Sequence, residues 1–91
     1  METNPTDLLR QTKFVETVQS ILFDKNIYSY GDCIRWMVFE GYLRYKHFTI
    51  TSQYLRFKFI EPDEKKYDYK MEKITTGIFY IYQYPKVSLD I

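Results

Sequence analysis

Side-chain alternation in the C-terminal half is the feature that most constrains how this chain folds. Apolar residues recur at every second position in segments 54–59, 67–72 and 78–84. Side chains of an extended strand point alternately to opposite faces, so this period predicts three half-buried β-strands. Pro62 and Gly77 stand between the segments, where they favour turns. The pattern therefore predicts a three-stranded antiparallel meander.

Two helices are predicted ahead of the meander. The first begins at Pro5 or Thr6 and ends at 24–26, because apolar residues there recur at helical spacing. Its apolar stripe consists of Leu8, Phe14, Val15, Val18, Ile21 and Leu22. The second begins at a capping box in which Asp32 follows Ser29 by three residues, and it continues through 33–46.

The predicted fold class is therefore α+β, with two N-terminal helices packed on one face of the three-stranded meander, as a single domain over residues 1–91. A winged helix is the alternative. In that fold Ser52 would cap a short recognition helix, and the last two strands would form the wing. The β-favouring aromatic residues and strict alternation of 54–59 favour the strand.

Composition argues against a duplex-DNA-binding protein and indicates a type of source organism. Thirteen basic and twelve acidic residues give a net charge of +1, whereas a protein that grips duplex DNA usually carries a large basic excess. The chain contains no alanine and is rich in Phe, Tyr, Ile and Lys. These residue types correspond to AT-rich codons, which suggests a phage, a mobile element or a low-GC bacterium as the source.

No arrangement of residues predicts catalysis. Cys33 is the only cysteine and His47 the only histidine, and a helix would hold them about 20 Å apart. The acidic cluster at 61–64 lies on a predicted turn, where exposure to water gives no sheltered carboxylate pair of the kind that acid–base catalysis needs. Nucleotide-binding, zinc-protease and serine-hydrolase motifs are missing from the sequence. We therefore expect no enzyme, no cofactor and no metal site.

The sequence also predicts a location in the cytoplasm, or in the host cytoplasm if the protein is encoded by a phage. The polar N-terminus does not resemble a signal peptide, and no apolar run approaches the length that spans a membrane. One cysteine offers no internal disulfide, as in proteins of reducing compartments.

Three tyrosines alternate in the last predicted strand, at Tyr80, Tyr82 and Tyr84. If Leu55, Phe57 and Phe59 face the helices and the third strand turns Phe79 and Ile81 inward, these tyrosines point outward. They would then share an uncovered sheet face with Tyr54, Arg56 and Lys58 and with the mixed charges Asp68, Lys70 and Glu72. In the opposite registry Tyr80 and Tyr82 are core residues.

These observations predict a non-enzymatic protein-interaction module, such as a phage- or mobile-element-encoded inhibitor that occludes a host protein or defence complex. Tyrosine and arginine are enriched at interaction hot spots, and the expected face has nearly balanced charge. The predicted partner-binding residues are Tyr54, Arg56, Lys58, Tyr80, Tyr82 and Tyr84.

The alternative function is nucleic-acid binding, either of a single strand by basic and tyrosine side chains or of duplex DNA by a winged helix. Residues 33–59 carry five basic residues and one acidic residue, and the candidate contacts are Arg44, Lys46, Arg56 and Lys58. Self-association as a homodimer is expected through Trp36, Phe39 and Leu43 or through the edges of the sheet.

Overall fold

A computed structural model describes residues 17–42 and 44–86, and these residues form one helix and five antiparallel strands. In chain order the elements are β1 (Thr17–Asp24), α1 (Tyr30–Glu40), β2 (His47–Ile50), β3 (Tyr54–Lys58), β4 (Tyr67–Thr75) and β5 (Ile78–Pro85). The strands form a single sheet in the order β2-β3-β1-β5-β4, with β1 at its centre.

The prediction of two helices on a three-stranded meander is therefore wrong. β1 lies between β3 and β5, so the predicted first and second strands of the meander are not neighbours. The winged-helix alternative is wrong as well, because β3 occupies the position of its recognition helix. The β4–β5 hairpin, by contrast, is the pairing that the alternation predicts.

The C-terminal part of the predicted first helix is the central strand. Residues 5–16 of that prediction lie outside the described residues, but Val18, Ile21 and Leu22 belong to β1. Residues 19–23 of this central strand are all buried, so its apolar residues need not alternate with exposed polar ones. Their spacing then resembles a helical stripe by coincidence. The β-branched residues Thr17, Val18 and Ile21 favour the extended form.

The capping box predicted at Ser29 is confirmed. Its side chain accepts a hydrogen bond from the Asp32 backbone N–H at 3.1 Å, and the Asp32 carboxylate accepts one from the Ser29 N–H at 3.0 Å. The helix is shorter than predicted. Gly41, predicted to lie within the helix, ends it instead. Its φ of 87° is left-handed, a conformation that glycine adopts without steric cost.

The two faces of the sheet are defined by the residues paired across it. Ile21 lies opposite Phe57 and Tyr80, and Phe23 lies opposite Leu55 and Ile78. These six side chains join Cys33 and Met37 of α1 in the core. We call this side the helix face, and the other side, which contains Leu22, Arg56 and Phe79, the open face.

Aromatic rings fill the helix face. Phe57 is fully buried and meets Phe23 edge-to-face, with ring centroids 5.7 Å apart. Tyr45 meets Phe57 in the same way at 5.0 Å, and Tyr30 meets Phe48 at 5.2 Å. Edge-to-face contacts of this kind add to the gain from burial because each ring edge is positive and each ring face negative.

The connection 59–66 carries the chain from β3 past β1 and β5 to β4. Two side chains on the sheet hold it in place. The Gln19 amide donates to the Ile60 carbonyl at 2.7 Å, and the Tyr69 hydroxyl accepts from the Asp63 N–H at 2.6 Å. Gln19 stands at a β-bulge in β1, where the register with β5 shifts between Val18 and Ser20. The bulge therefore places the buried Gln19 amide within hydrogen-bond distance of the Ile60 carbonyl in this connection.

Candidate interaction surfaces

Tyr80 and its two alternating neighbours point to the helix face, opposite to the expected registry. Tyr80 is only 5% exposed and belongs to the core, and Tyr82 packs against that core. Burial raises the pKa of Tyr80, and its hydroxyl accepts a hydrogen bond from the Trp36 indole at 3.4 Å. The expectation that these tyrosines form an outward surface is wrong, because α1 covers this side of β5.

The remaining predicted partner-binding residues lie on the other side of the sheet. Arg56 pairs with Leu22 and Lys58 with Ser20, which places Tyr54, Arg56 and Lys58 on the open face. The structure therefore separates the six residues into two sets of three on opposite sides of the sheet. No single flat surface joins Tyr54 to Tyr80.

The separation changes the charge expected on each face. Asp68, Lys70 and Glu72 pair with Tyr84, Tyr82 and Tyr80, so they belong to the helix face. The open face receives Tyr69, Met71 and Lys73 of β4, which pair with β5 residues 83, 81 and 79. Arg56, Lys58 and Lys73 thus share the open face without the two acidic residues of β4. The balanced surface that the sequence predicted does not form.

Arg56 itself is held by the sheet. Its guanidinium lies 3.4 Å from the Gln19 amide oxygen, which also accepts a hydrogen bond from the Ser20 hydroxyl at 2.8 Å. The Arg56 Nε is buried without a hydrogen-bond partner. Lys58 lies 3.9 Å from the Glu61 carboxylate, which also contacts the exposed His47 ring at 2.7 Å. The charged groups of Arg56 and Lys58 therefore already have partners within the molecule.

The other candidate nucleic-acid contacts lie near the β2 edge. Arg44 is exposed, and Lys46 is exposed with its backbone N–H bonded to the Lys58 carbonyl at 2.8 Å. Lys46 therefore adjoins Lys58 through the backbone.

The residues predicted for self-association do not act as one group. Trp36 is half-buried against the core, whereas Phe39 is 86% exposed, the largest value among the exposed large apolar residues of the described chain. Leu43 lies outside the described residues.

An open groove of about 640 Å³ lies beside Phe39, between α1 and the turn that precedes it. We call it the helix groove, and its lining is Ile27, Tyr28, Asp32, Arg35, Trp36 and Phe39. The helical positions among these recur at spacings of three and four residues, which places them on one side of the helix. Ile27 is half exposed, so the groove combines apolar walls with access to solvent.

A charged pair stands at the rim of this groove. The Asp32 carboxylate binds the Arg35 guanidinium one turn later in α1. Hydrogen bonds from the backbone and side chain of Ser29, and then from Arg35, hold the pKa of Asp32 below its usual range. The groove therefore keeps a fixed anion and cation beside its apolar walls across the neutral pH range.

The sequence does not indicate this groove, because the predicted helix continues through 46 and places Trp36, Phe39 and Leu43 on one expected self-association surface. The C-cap at Gly41 was the signal that locates it. A helix that stops at Glu40 has only one buried stripe, built on Cys33 and Met37. Phe39 then falls outside the stripe.

Groups with possible chemical reactivity are not brought together. Burial raises the pKa of Cys33 to about 12, which keeps its thiol protonated at neutral pH. Cys33 lies in the core under α1, whereas His47 contacts Glu61 at the edge of the open face. Within residues 17–42 and 44–86, no three His, Cys, Asp or Glu side chains form a group suited to a metal ion.

The helix of the described chain is too short and too polar to cross a membrane. Comparison with known proteins adds no relative: no family model, no curated protein and no solved structure matches this sequence.

Proposed function

We propose that this protein is a non-enzymatic interaction module that binds another protein through the helix groove. The observation that supports the proposal is the 86% exposure of Phe39 beside the half-exposed Ile27 and the half-buried Trp36. Exposed apolar residues gathered around a concave surface are typical of protein-binding sites.

The fold does not need Phe39 in this position, because the core beneath α1 is already filled by Cys33 and Met37. Covering a phenylalanine side chain with a partner removes apolar surface from water, which is worth about 1.5–3 kcal/mol. Trp36 adds an aromatic wall of the kind found at hot spots. The groove thus favours a partner that inserts an aliphatic or aromatic side chain.

The charged rim supports a partner with polar groups around that side chain. Arg35 and Asp32 are both accessible, so each can exchange part of its mutual ion pair for a contact with the partner. Rim charges of this type contribute mainly to orientation and association rate. We therefore expect an apolar anchor flanked by at least one charged residue.

The proposed mode of action is occlusion of the bound surface. A chain of this size covers a partner without any chemical step, as an inhibitor or regulator does. The amino-acid composition, which corresponds to AT-rich codons, supports a phage or mobile element as the source. A host protein or defence complex is then the expected class of partner.

The experiment uses Trp36, which is the only tryptophan in the chain and lines the groove. Partner candidates are captured from host-type lysate after nuclease treatment, purified and titrated into this protein while its tryptophan emission is recorded. The test variant is Phe39→Ser. Its matched control is Val38→Ser, because Val38 is also exposed on α1 but points about 100° away around the helix.

A partner that shifts the Trp36 emission, binds the Val38→Ser protein normally and loses at least about tenfold in affinity for Phe39→Ser supports the proposal. Equal affinity for Phe39→Ser and wild type would refute the groove as the binding site. Circular dichroism of both variants checks that the fold is unchanged.

A second candidate function, single-stranded nucleic-acid binding, is supported by the segregation of charge on the sheet. Arg56, Lys58 and Lys73 share the open face with the rings of Tyr54 and Tyr69, while Asp68 and Glu72 lie on the other side. Cations that follow the backbone and rings that stack on bases are the usual elements of such sites.

Fluorescence anisotropy with labelled single-stranded oligonucleotides tests this candidate over a series of salt concentrations. Lys73→Glu should weaken binding, and the control Lys25→Glu, which changes an exposed lysine in the turn after β1, should not. Loss of about one phosphate contact should also reduce the salt slope by about one. Absence of salt-dependent binding, or equal effects of the two variants, would exclude it.

A further inference from the structure

The outer edge of β4 is the longest strand edge that this sheet leaves unpaired. Over the described residues, β4 pairs only with β5 and β2 pairs only with β3, so the sheet has two edges, of nine and four residues. β4 is exposed along most of its length, and Met71 at its centre is 50% exposed. A long exposed edge is a template for a further strand.

The backbone groups available at this edge follow from one hydrogen bond. The Lys86 N–H donates to the Lys66 carbonyl at 3.0 Å, which makes the pair Tyr67–Pro85 a non-hydrogen-bonded one. Hydrogen-bonded and non-hydrogen-bonded pairs alternate along an antiparallel ladder. The N–H and C=O groups of residues 67, 69, 71 and 73 therefore point away from β5, toward the free edge.

We infer that this edge pairs with the same edge of a second copy of the chain, in an antiparallel register centred on Met71. A two-fold axis through Met71, perpendicular to the sheet, places the outward groups of Tyr69 opposite those of Lys73 of the second copy. Met71 lies opposite itself. The whole of β4 takes part, with the bulge between Lys73 and Thr75 near each end.

Charge complementarity supports this register. Lys70 of each copy lies opposite Glu72 of the other, in a non-hydrogen-bonded pair where side chains are closest. Within the described residues neither Lys70 nor Glu72 forms an ion pair in the single chain. Segment 67–75 contains two lysines, one aspartate and one glutamate, so the two copies do not repel each other by net charge.

Neighbouring registers are less favourable. An axis at Lys70 places Lys70 opposite itself and Asp68 opposite Glu72, and an axis at Glu72 places Glu72 opposite itself. Like charges directly opposite each other destabilise a sheet. An axis at Tyr69 makes the favourable pair Asp68–Lys70, but it overlaps only residues 67–71 of β4.

The resulting dimer joins two five-stranded sheets into one continuous sheet of ten strands. Because the axis is perpendicular to the sheet, both copies of α1 lie on the same side. Both helix grooves then open on that side. The dimer stands independently of the proposed partner, since β4 contributes no residue to the groove.

Sedimentation equilibrium over a concentration series tests the inference, with wild type expected to associate to a dimer. Glu72→Lys replaces two Lys–Glu pairs with two Lys–Lys pairs and should raise the dissociation constant at least about tenfold. Lys70→Glu should do the same. An equimolar mixture of the two variants restores both pairs and should form a heterodimer with affinity close to that of wild type.

Asp68→Lys is the matched control, because Asp68 faces Ile74 in the register centred on Met71 and faces Lys70 in the register centred on Tyr69. It should leave the dimer intact. Thermal unfolding by circular dichroism checks the fold of each variant. A wild type that stays monomeric at every concentration, a dimer insensitive to Glu72→Lys, a mixture that fails to associate, or a dimer lost with Asp68→Lys would each overturn the proposed pairing.

Discussion

The two faces of the sheet are built from the same alternating strands, yet they are stabilised in different ways. The helix face contains Ile21, Phe23 and Phe57, each fully buried under α1 and its neighbouring rings. The open face buries Gln19, Ser20 and Gln83, which are polar, near the connection 59–66. The comparison shows that one face is stabilised mainly by apolar packing, whereas the other combines the buried Leu22 with hydrogen bonds made by buried polar side chains.

The largest expected effect tests the packing of the helix face. Phe57→Ala leaves a cavity and removes a ring that contacts four other aromatic rings. We therefore expect the free energy of unfolding to fall by about 3–5 kcal/mol. Chemical denaturation followed by circular dichroism measures it.

Phe79→Ala is the matched variant on the open face. Phe79 is half-buried and meets one ring, that of Tyr54, at 5.8 Å, so its loss should cost about 1–2 kcal/mol. Equal costs at Phe57 and Phe79 would show that the two faces do not differ in packing as described.

The next effect concerns the hydrogen bonds of the open face. Gln19→Ala leaves the Ile60 carbonyl and the Arg56 guanidinium without their shared partner, so we expect a loss of about 1–3 kcal/mol. Hydrogen exchange should also show faster exchange in 59–66. Unchanged exchange there would contradict the view that Gln19 anchors this connection.

The smallest effect near neutral pH is a pH dependence that belongs to the helix face. Burial, and then the charge of Asp32, raises the pKa of Cys33 from 9.0 to about 12. Below pH 9 the thiol is protonated in both states, and between pH 9 and 12 only the unfolded chain ionises. Stability should therefore fall as the pH rises through this window, by at most about 1.4 kcal/mol per unit.

Cys33→Ala should remove that part of the slope. The tyrosines whose pKa values are also raised, Tyr30 and Tyr80, are present in both proteins, so the difference between the two profiles reports Cys33 together with the smaller effect of its charge on Tyr30. Parallel profiles for wild type and variant would mean that the thiol is accessible to water. Slow reaction of Cys33 with a thiol reagent at pH 8 is the independent check.

Several local features were predictable from sequence because their causes are local. Ser29 and Asp32 form the expected capping box, since both hydrogen bonds lie within one turn. β4 and β5 pair through the turn at Gly77, whose φ of 78° suits glycine. An added Cβ at Gly77 would also lie 2.9 Å from Ile27 and Tyr28, a packing constraint that no local pattern indicates.

The candidate site was less predictable than the strands. Arg56 and Lys58 were placed correctly on an uncovered face, since Leu55 and Phe57 are plainly apolar and take the other side. The helix groove depends on where α1 ends and on which residues the turn before it brings alongside. Ile27 and Phe39 are twelve positions apart, and only the folded chain places them together.

The sequence by itself determined the period-two pattern of β3, β4 and β5 and the capping of α1. Tertiary structure alone decided that residues 17–24 form a central strand and that Tyr80 faces inward. Alternation shows which side chains share a face of the sheet but not which face is the core. In β5 both faces carry large apolar groups, with Ile78 and Tyr80 on one face and Phe79 and Ile81 on the other. The face that becomes the core is set by pairing with a strand some sixty residues earlier, where Ile21 meets Tyr80.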